Sequence, residues 1–305
     1  MIWVLGDVAV DVVLHLTAFP QEGGDAFVDE RMVTVGGCGV NIALILARLG
    51  GRPVLVANLG QDHWGDQALA LLRRERVDVT GVSRDEELPT HLTVILVSGP
   101  GERTIIGHRG ASARPGPDDA WTTLPGPAAV LVVSGYSLFG AARSEQARQL
   151  MDLASEAGAM VVLDLPTDLP DEVRNEVMRL LPCIDVLVVG ADEAYRLCGA
   201  SNPREAAERL AVPRRTVVVT LGSAGCVGVG PDGVVQAAGV DVAPVDTSGA
   251  GDAFVAALTV GLLRSLPFTE TLALANGFGA AATLRSGTGS ALPGPDEVAA
   301  LLQQR

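Results

Sequence analysis

Short, uninterrupted apolar runs alternating with helical stretches constrain this chain more than any other feature. Strand-like runs stand at 129–134, Met160–Asp164, 186–189 and Thr216–Thr220, with helix-patterned segments at 143–157, 171–181 and 203–211 between them. A strand apolar along its whole length must be covered on both faces, and parallel strands joined by helices achieve that cover. The front of the chain carries the same signature: Ile2–Leu5, a strand-like stretch over 8–16, a helix over 42–49, a buried strand over 54–59 and an amphipathic helix over 64–74. The predicted fold class is α/β, a central mostly parallel sheet with helices on both faces. Two regions read differently. Residues 14–35 carry turn signals, Phe19-Pro20 and Gly23-Gly24, and then the mixed run Ala26-Phe27-Val28-Asp29-Glu30-Arg31-Met32-Val33. Residues 90–110 hold two strand-like runs, 92–98 and 103–108, joined by Gly99-Pro100-Gly101, a hairpin signature. A further hairpin over 225–237, long helices over 253–264 and 269–284, and a short final helix close the chain. With no repeat, low-complexity tract or long linker, 1–305 is expected to be a single α/β domain, with 14–35 and 90–110 as an accessory β-sheet.

Composition excludes several function classes. The formal net charge of -14 argues against nucleic acid or an anionic membrane as the main partner. All 22 basic residues are arginine. A chain without lysine has no Walker A lysine, no third-strand lysine of a protein kinase and no amine for a Schiff base. Phosphate charge, if this chain handles any, must then be met by helix N-termini, metal ions or arginine. Cys38, Cys183, Cys198 and Cys226 form no C-x-x-C pair, which fits a reducing compartment. The four histidines show no metal-ligand spacing. Asp7 and Asp11 interrupt the first apolar run, unlike a signal peptide. No apolar run reaches the ~18 residues of a membrane helix, and a cytoplasmic location is expected.

Chemistry concentrates in Val245-Asp246-Thr247-Ser248-Gly249-Ala250-Gly251-Asp252-Ala253-Phe254. A glycine turn feeding a helix presents unpaired N–H groups and the positive end of the helix dipole, a natural anion site. Asp252 beside it suits proton abstraction from a hydroxyl that attacks phosphate; it equally suits capping of the helix, and from this stretch alone the two readings stand level. Ligands of open parallel sheets sit beyond the carboxyl ends of the strands. Asp7 and Asp11, Gly36-Gly37-Cys38-Gly39-Val40-Asn41, Thr220-Leu221-Gly222-Ser223-Ala224-Gly225 and the Asp246–Asp252 stretch all fall there, so one crevice could gather them. Taken singly, the second is also a plain turn into a helix and the third a plain hairpin loop. Gly277-Phe278-Gly279-Ala280-Ala281-Ala282 matches a dinucleotide fingerprint but lies inside a helix, where the match is chance.

In their order, these motifs resemble the ribokinase, or PfkB, family of carbohydrate and nucleoside kinases over essentially the whole chain. Residues 245–254 are similar to the family's C-terminal signature and Gly36 to Asn41 to its G-G-x-x-x-N element; Gly6-Asp7 with Asp11, Gly101-Glu102-Arg103-Thr104 and Thr220 to Gly225 also fall where the family has them. The resemblance implies a ribokinase-like ATP-dependent phosphotransferase acting on a hydroxyl, a primary one, of a small sugar. Asp252 would be the base, and Gly249, Ala250 and Gly251 the anion hole. Asp11, Gly37 and Asn41 would hold the sugar. Thr220, Gly222 and Gly225 would contact ATP, with Asn276 beside the adenine. Asp246, Ser248, Thr283, Ser286 and Thr288 resemble the family's monovalent-cation loop, expected to hold K⁺. Residues 14–35 and 90–110 would form a lid, through which a homodimer could form. Where the family has N-x-x-E to help place Mg²⁺, the chain reads Gly190-Ala191-Asp192-Glu193, keeping the glutamate and lacking the asparagine. Arg109 and Tyr136 are candidate substrate contacts: an inward Arg109 would favour a carboxylate or phosphate, a solvent-facing one would not, and Tyr136 could stack on the substrate or be core. A nucleoside kinase of the same family and a non-catalytic sugar-binding protein on this scaffold are the alternatives.

Overall fold

The computed structural model describes residues 1–98, 102–116, 130–167, 169–212, 215–231 and 233–303. The expected turn at 99–101 and Ala129 lie outside them. In chain order the elements are β1 (Ile2–Leu5), β2 (Ala9–Leu16), β3 (Arg31–Gly36), α1 (Cys38–Arg48), β4 (Pro53–Gly60), α2 (His63–Arg74), β5 (Val82–Asp85), β6 (His91–Ser98) and β7 (Glu102–His108). Strand and helix then alternate: β8 (Val130–Ser134), α3 (Ala141–Glu156), β9 (Met160–Asp164), α4 (Asp171–Leu180), β10 (Val186–Gly190), α5 (Ala191–Cys198), α6 (Pro203–Leu210) and β11 (Thr216–Thr220). A hairpin, β12 (Gly225–Gly230) and β13 (Gly233–Ala238), leads to α7 (Ala250–Leu263), α8 (Phe268–Ala282) and α9 (Pro295–Gln303).

The large sheet runs β13-β12-β11-β10-β9-β8-β1-β4-β5. It is parallel from β11 to β5, and only the terminal hairpin is antiparallel. Alternation along β1 assigns the two cores. Ile2 and Val4 pack with α1, α2, α7, α8 and α9 on one face, whereas Trp3 and Leu5 pack with α3, α4, α5 and α6 on the other. Helix α1 lies between sheet and α7, which is why Leu44, Ile45 and Leu46 are all fully buried. Each such side chain contributes about 1.5–3 kcal/mol on burial.

A second sheet, β3-β2-β6-β7, sits where the chain leaves β1 through Gly6-Asp7. Its β2–β6 pair is parallel and its outer pairs antiparallel. Residues 26–30 belong to no strand: β3 begins at Arg31, opposite Leu14, beyond which β2 pairs only with β6. Helices α1 and α7 begin at Cys38 and Ala250, earlier than the expected 42 and 253, because Gly37 and Gly249 cap them and the residues that follow are already helical. Among the described residues no helix is long and apolar enough to cross a membrane.

Candidate active site

Parallel strands bring their carboxyl ends to one edge, and there the chain places Gly6-Asp7 after β1, Tyr136 after β8, Asp164 at the end of β9, Gly190 at the end of β10 and Thr220 at the end of β11. Helix α7 points its N-terminus at this edge. Its cap, Gly249, has φ 74°, a left-handed conformation that glycine adopts at no steric cost. The first bond of the helix runs from Ala253 N to Gly249 O at 2.9 Å, so the amides of Ala250, Gly251 and Asp252 belong to the turn that precedes helical pairing, where Ala250 N makes a long bond to Thr247 O at 3.4 Å. Gly251 is exposed, and a Cβ built on it would meet nothing within 4 Å. Packing therefore does not require glycine there.

Asp252 lies in this first turn, 7% exposed. Asn41 Nδ2 donates to Asp252 Oδ2 at 2.8 Å, while Asn41 Oδ1 accepts from Gly289 N at 3.0 Å. That amide is oriented from both ends and aims the carboxylate. Burial pushes the Asp252 carboxyl above the ordinary carboxylate range, and the bonds from Asn41 and Cys38 partly oppose it. Asp11, also buried, accepts from Thr288 Oγ1 at 2.9 Å, and burial raises its carboxyl as well. Gly37 has φ 92°, and a Cβ there would stand 2.6 Å from Asp7 O, so only glycine lets α1 start against the strand end. The fold thus brings Asp11, Gly37, Asn41 and Asp252 together.

Asp164 is a group that the motif order did not flag. It closes β9, and burial together with the Asp252 charge holds its carboxyl well above the usual range. Its signal in the sequence is a carboxylate on the last residue of an apolar strand, Met160–Asp164, the position from which side chains enter the crevice of a parallel sheet.

On the other side of α7's first turn lies a cavity of about 510 Å³. Thr220, Gly222 and Gly225 line one wall, Asn276 and Thr283 another, and Ala250 and Gly251 its floor. Asn276 spends its Nδ2 on Ala237 O and Ala238 O at 3.3 and 3.1 Å, which fixes the amide against the end of β13. Among the described residues no arginine lines the cavity, and Asp241 does. Its hydroxyls, backbone and helix N-terminus suit phosphate, and its volume suits a nucleotide.

Among the expected metal residues, Glu193 is buried in the first turn of α5. A Cβ on Gly190 would collide with the Glu193 carboxylate, so the missing asparagine side chain leaves room that Glu193 itself takes. Asp246 ties two loops together, Oδ1 accepting from Ser248 N and Oδ2 from Gly287 N, both at 2.9 Å. Thr283 O already accepts from Val245 N at 2.7 Å and Asp246 N at 3.2 Å, and Thr288 O from Thr34 Oγ1 at 3.1 Å. Ser286, half-buried, lies in the same turn. Among the described residues there is no cluster of three or more acidic, His or Cys side chains fit to hold a metal.

Arg109 follows β7 and turns inward, but its charge is spent. It donates to Asp7 Oδ2 at 3.2 Å, Phe139 O at 3.1 Å and Tyr136 O at 3.1 Å. The fully buried Arg143 stands 3.8 Å from the same Asp7. An inward Arg109 was expected to favour an anionic acceptor; paired with Asp7, it supplies no free positive charge for one. Tyr136 is 36% exposed and stacks on Phe139 with ring centroids 5.7 Å apart.

A family model described as pfkB family carbohydrate kinase matches residues 1–295. The chain is 31% identical to Probable fructokinase-2 of Arabidopsis thaliana, over 98% of this chain and 94% of the relative. It also superposes on aminoimidazole riboside kinase from Salmonella enterica, solved with aminoimidazole riboside and an ATP analog (TM-score 0.82, 28% identity, 99% of each chain). A third likeness is to fructokinase from Vibrio cholerae O395 with fructose, ADP and calcium ion (TM-score 0.83, 26% identity, 99% of this chain and 98% of that one). A double mutant of the same fructokinase, solved with potassium ion, matches at TM-score 0.83 and 26% identity, over 99% of this chain and 97% of that one.

Proposed function

This chain belongs to the pfkB family of carbohydrate kinases, matched over residues 1–295, and from that premise we propose that it transfers the γ-phosphoryl group of ATP to a primary hydroxyl of a small sugar, with Asp252 as base. One observation carries the reading. Asp252 and the amides of Ala250 and Gly251 share one helical turn, which lines the nucleotide-sized cavity and also meets Asn41, whose helix start lies beside Asp11. The acceptor oxygen bonds to the γ-phosphorus as the bridge to the β-phosphate breaks, its proton passes to Asp252, and ADP leaves. Charge on the transferring group is met by the Gly249, Ala250 and Gly251 amides, preorganised by the helix and needing no lysine. Asp11, Gly37 and Asn41 orient the acceptor; Thr220, Gly222, Gly225 and Asn276 hold the nucleotide.

Glu193 is the residue to hold Mg²⁺, which when bound neutralises phosphate charge. The loop carrying Asp246, Ser248, Thr283, Ser286 and Thr288 is the place for K⁺. The four-stranded sheet would act as lid over the acceptor, excluding water so that sugar rather than water is phosphorylated. Ile105 and Ile106, 61% and 60% exposed on its β7 edge, support pairing of two copies through that sheet.

A nucleoside acceptor is the second reading, favoured by the exposed Tyr136–Phe139 stack, a surface for a heterocycle. ADP release across a panel of ketohexoses, pentoses and purine, pyrimidine and imidazole ribosides, with Mg²⁺ and K⁺, tests both. Free sugars are expected to saturate best; preference for ribosides would move the assignment to the second reading, and no turnover with any acceptor would defeat both. Replacing K⁺ at constant ionic strength should weaken activity, and insensitivity would refute the cation loop.

A further inference from the structure

A second cavity, of about 380 Å³, shares no lining residue with the one beside α7. One wall is β3, an edge strand of the four-stranded sheet. Another is a stripe of α2, Gln67, Ala70, Leu71 and Arg74, whose spacing sets them on one helix face. The segment 287–291 completes the lining. Gln67, Ala70 and Arg74 are exposed, so solvent reaches the cavity.

Its charge is opposite in sign to that of the molecule. Among the described residues no carboxylate lines it, and Arg74 does. Arg73 and Arg74 both end α2, where the helix dipole favours cations, but Arg73 does not line the cavity. Asp66 in α2 and Glu75 at its C-cap are engaged elsewhere, with Arg84 at 2.8 Å and Arg48 at 3.2 Å. Arg74 makes no ion pair or hydrogen bond among the described residues. An unpaired guanidinium beside the Gln67 amide and the Ser290 hydroxyl suits a phosphate group, and Met32 and Leu71 offer apolar surface to a short carbon chain.

The same segment touches the acceptor groups. Gly287 N donates to Asp246 Oδ2 at 2.9 Å, Thr288 Oγ1 to Asp11 Oδ2 at 2.9 Å and Gly289 N to Asn41 Oδ1 at 3.0 Å. Thr288 O accepts from Thr34 Oγ1 of β3 at 3.1 Å, so this bond joins the small sheet to the core beside the cavity.

We propose that this cavity is an effector site for a small metabolite carrying a phosphomonoester, held by Arg74, which tightens the acceptor site through Gly287 and Thr288. A ligand seated there touches sheet and core together. It therefore binds the arrangement in which Thr288 meets both Thr34 and Asp11 better than one in which the sheet has moved away. The coupling rests on the reading of Asp11 and Asn41 as acceptor groups; the binding site does not.

Binding is measured first and needs no turnover. Inorganic phosphate, glycerol 3-phosphate and 3-phosphoglycerate are titrated by calorimetry into the full chain saturated with MgADP at constant K⁺, with glycerol and tricarballylate as uncharged and carboxylate controls. The phosphoesters should bind, and Arg74→Ala, a change at an exposed position, should weaken them about tenfold. No binding of any phosphate probe, or equal binding by wild type and Arg74→Ala, would overturn the site. Tighter binding of tricarballylate would overturn the ligand class. With the best phosphoester saturating, the Kd of the acceptor should fall about fivefold, and the acceptor should tighten the phosphoester by the same factor. Arg74→Ala should lose that response while its kcat and KM without effector match wild type. Binding that leaves acceptor affinity unchanged would overturn the effector role. If no sugar or riboside is turned over, the kinase reading fails while the Arg74 titrations still decide the site.

Discussion

A buried carboxylate at the head of a helix is an expensive feature unless its charge is used. Burial holds the folded-state pKa of Asp252 above its unfolded value, so the folded protein binds this proton more tightly. The stabilisation that comes with that proton is complete below the unfolded pKa and is lost as pH rises through the folded pKa. At neutral pH ionised Asp252 therefore costs stability. Asp252→Asn removes the cost and keeps an acceptor for Asn41, so it should raise Tm at pH 7–8, the gap closing as pH falls. The same variant should lose kcat by about 10²- to 10⁴-fold with ATP binding retained. Thermal melts at several pH values and single-turnover rates check both; an unchanged kcat would return Asp252 to a capping role. Sequence alone exposed Asp252 and Asn41 because they sit in motifs with an order. It did not expose their bond, which joins positions 211 residues apart. Arg109 illustrates the converse, since the inward direction is settled by Asp7 and two carbonyls that no local pattern announces.

At the scale of elements, glycines at the starts of α1 and α7 serve different ends, and substitution separates them. Gly37→Ala forces a side chain into a left-handed conformation 2.6 Å from Asp7 O. Such backbone strain costs roughly 1–3 kcal/mol, and it shifts α1 with both Cys38 and Asn41. Lower Tm and a raised acceptor KM are expected together. Gly251→Ala meets no neighbour and sits in a helix, where alanine is favoured over glycine by about 1 kcal/mol. That variant should melt at or above the wild-type temperature yet lose phosphoryl transfer, because its methyl group fills the space in front of the amides. A fully active Gly251→Ala would refute the anion hole. Most elements were legible from period and apolar runs. The exceptions have local reasons: β5 (Val82–Asp85) is four mixed residues at a sheet edge, and the eight-residue α5 directly follows β10 with no loop to mark its start. Helix starts were read late because a glycine turn and the first helical turn look alike in sequence.

For the whole molecule, the class of fold was readable but the order of its strands was not. β1 is an interior strand between β8 and β4, and its pairing with β8, Ile2 opposite Val130, joins residues far apart in the chain that no local period encodes. Net charge, by contrast, is readable and has a kinetic consequence. The chain carries a formal charge of -14, and the cavity proposed for the nucleotide is lined by Asp241 and, among the described residues, by no arginine. Helix N-termini act within about one turn, whereas the field of the whole surface reaches out to the Debye length, about 30 Å at 0.01 M salt and about 10 Å at 0.1 M. An approaching magnesium nucleotide, itself anionic, is then repelled before it can sense the amides that bind it. Screening should relieve this, so kcat/KM for ATP should rise as ionic strength is raised from about 0.01 to 0.1 M. The salt should be choline chloride at constant K⁺, so that the cation loop is not titrated at the same time. An uncharged sugar provides the control, because its kcat/KM at saturating ATP should stay flat over the same range. A fall in kcat/KM for ATP would mean that the local positive field at the head of α7 outweighs the acidic surface during approach. The phosphate site would then govern encounter as well as chemistry.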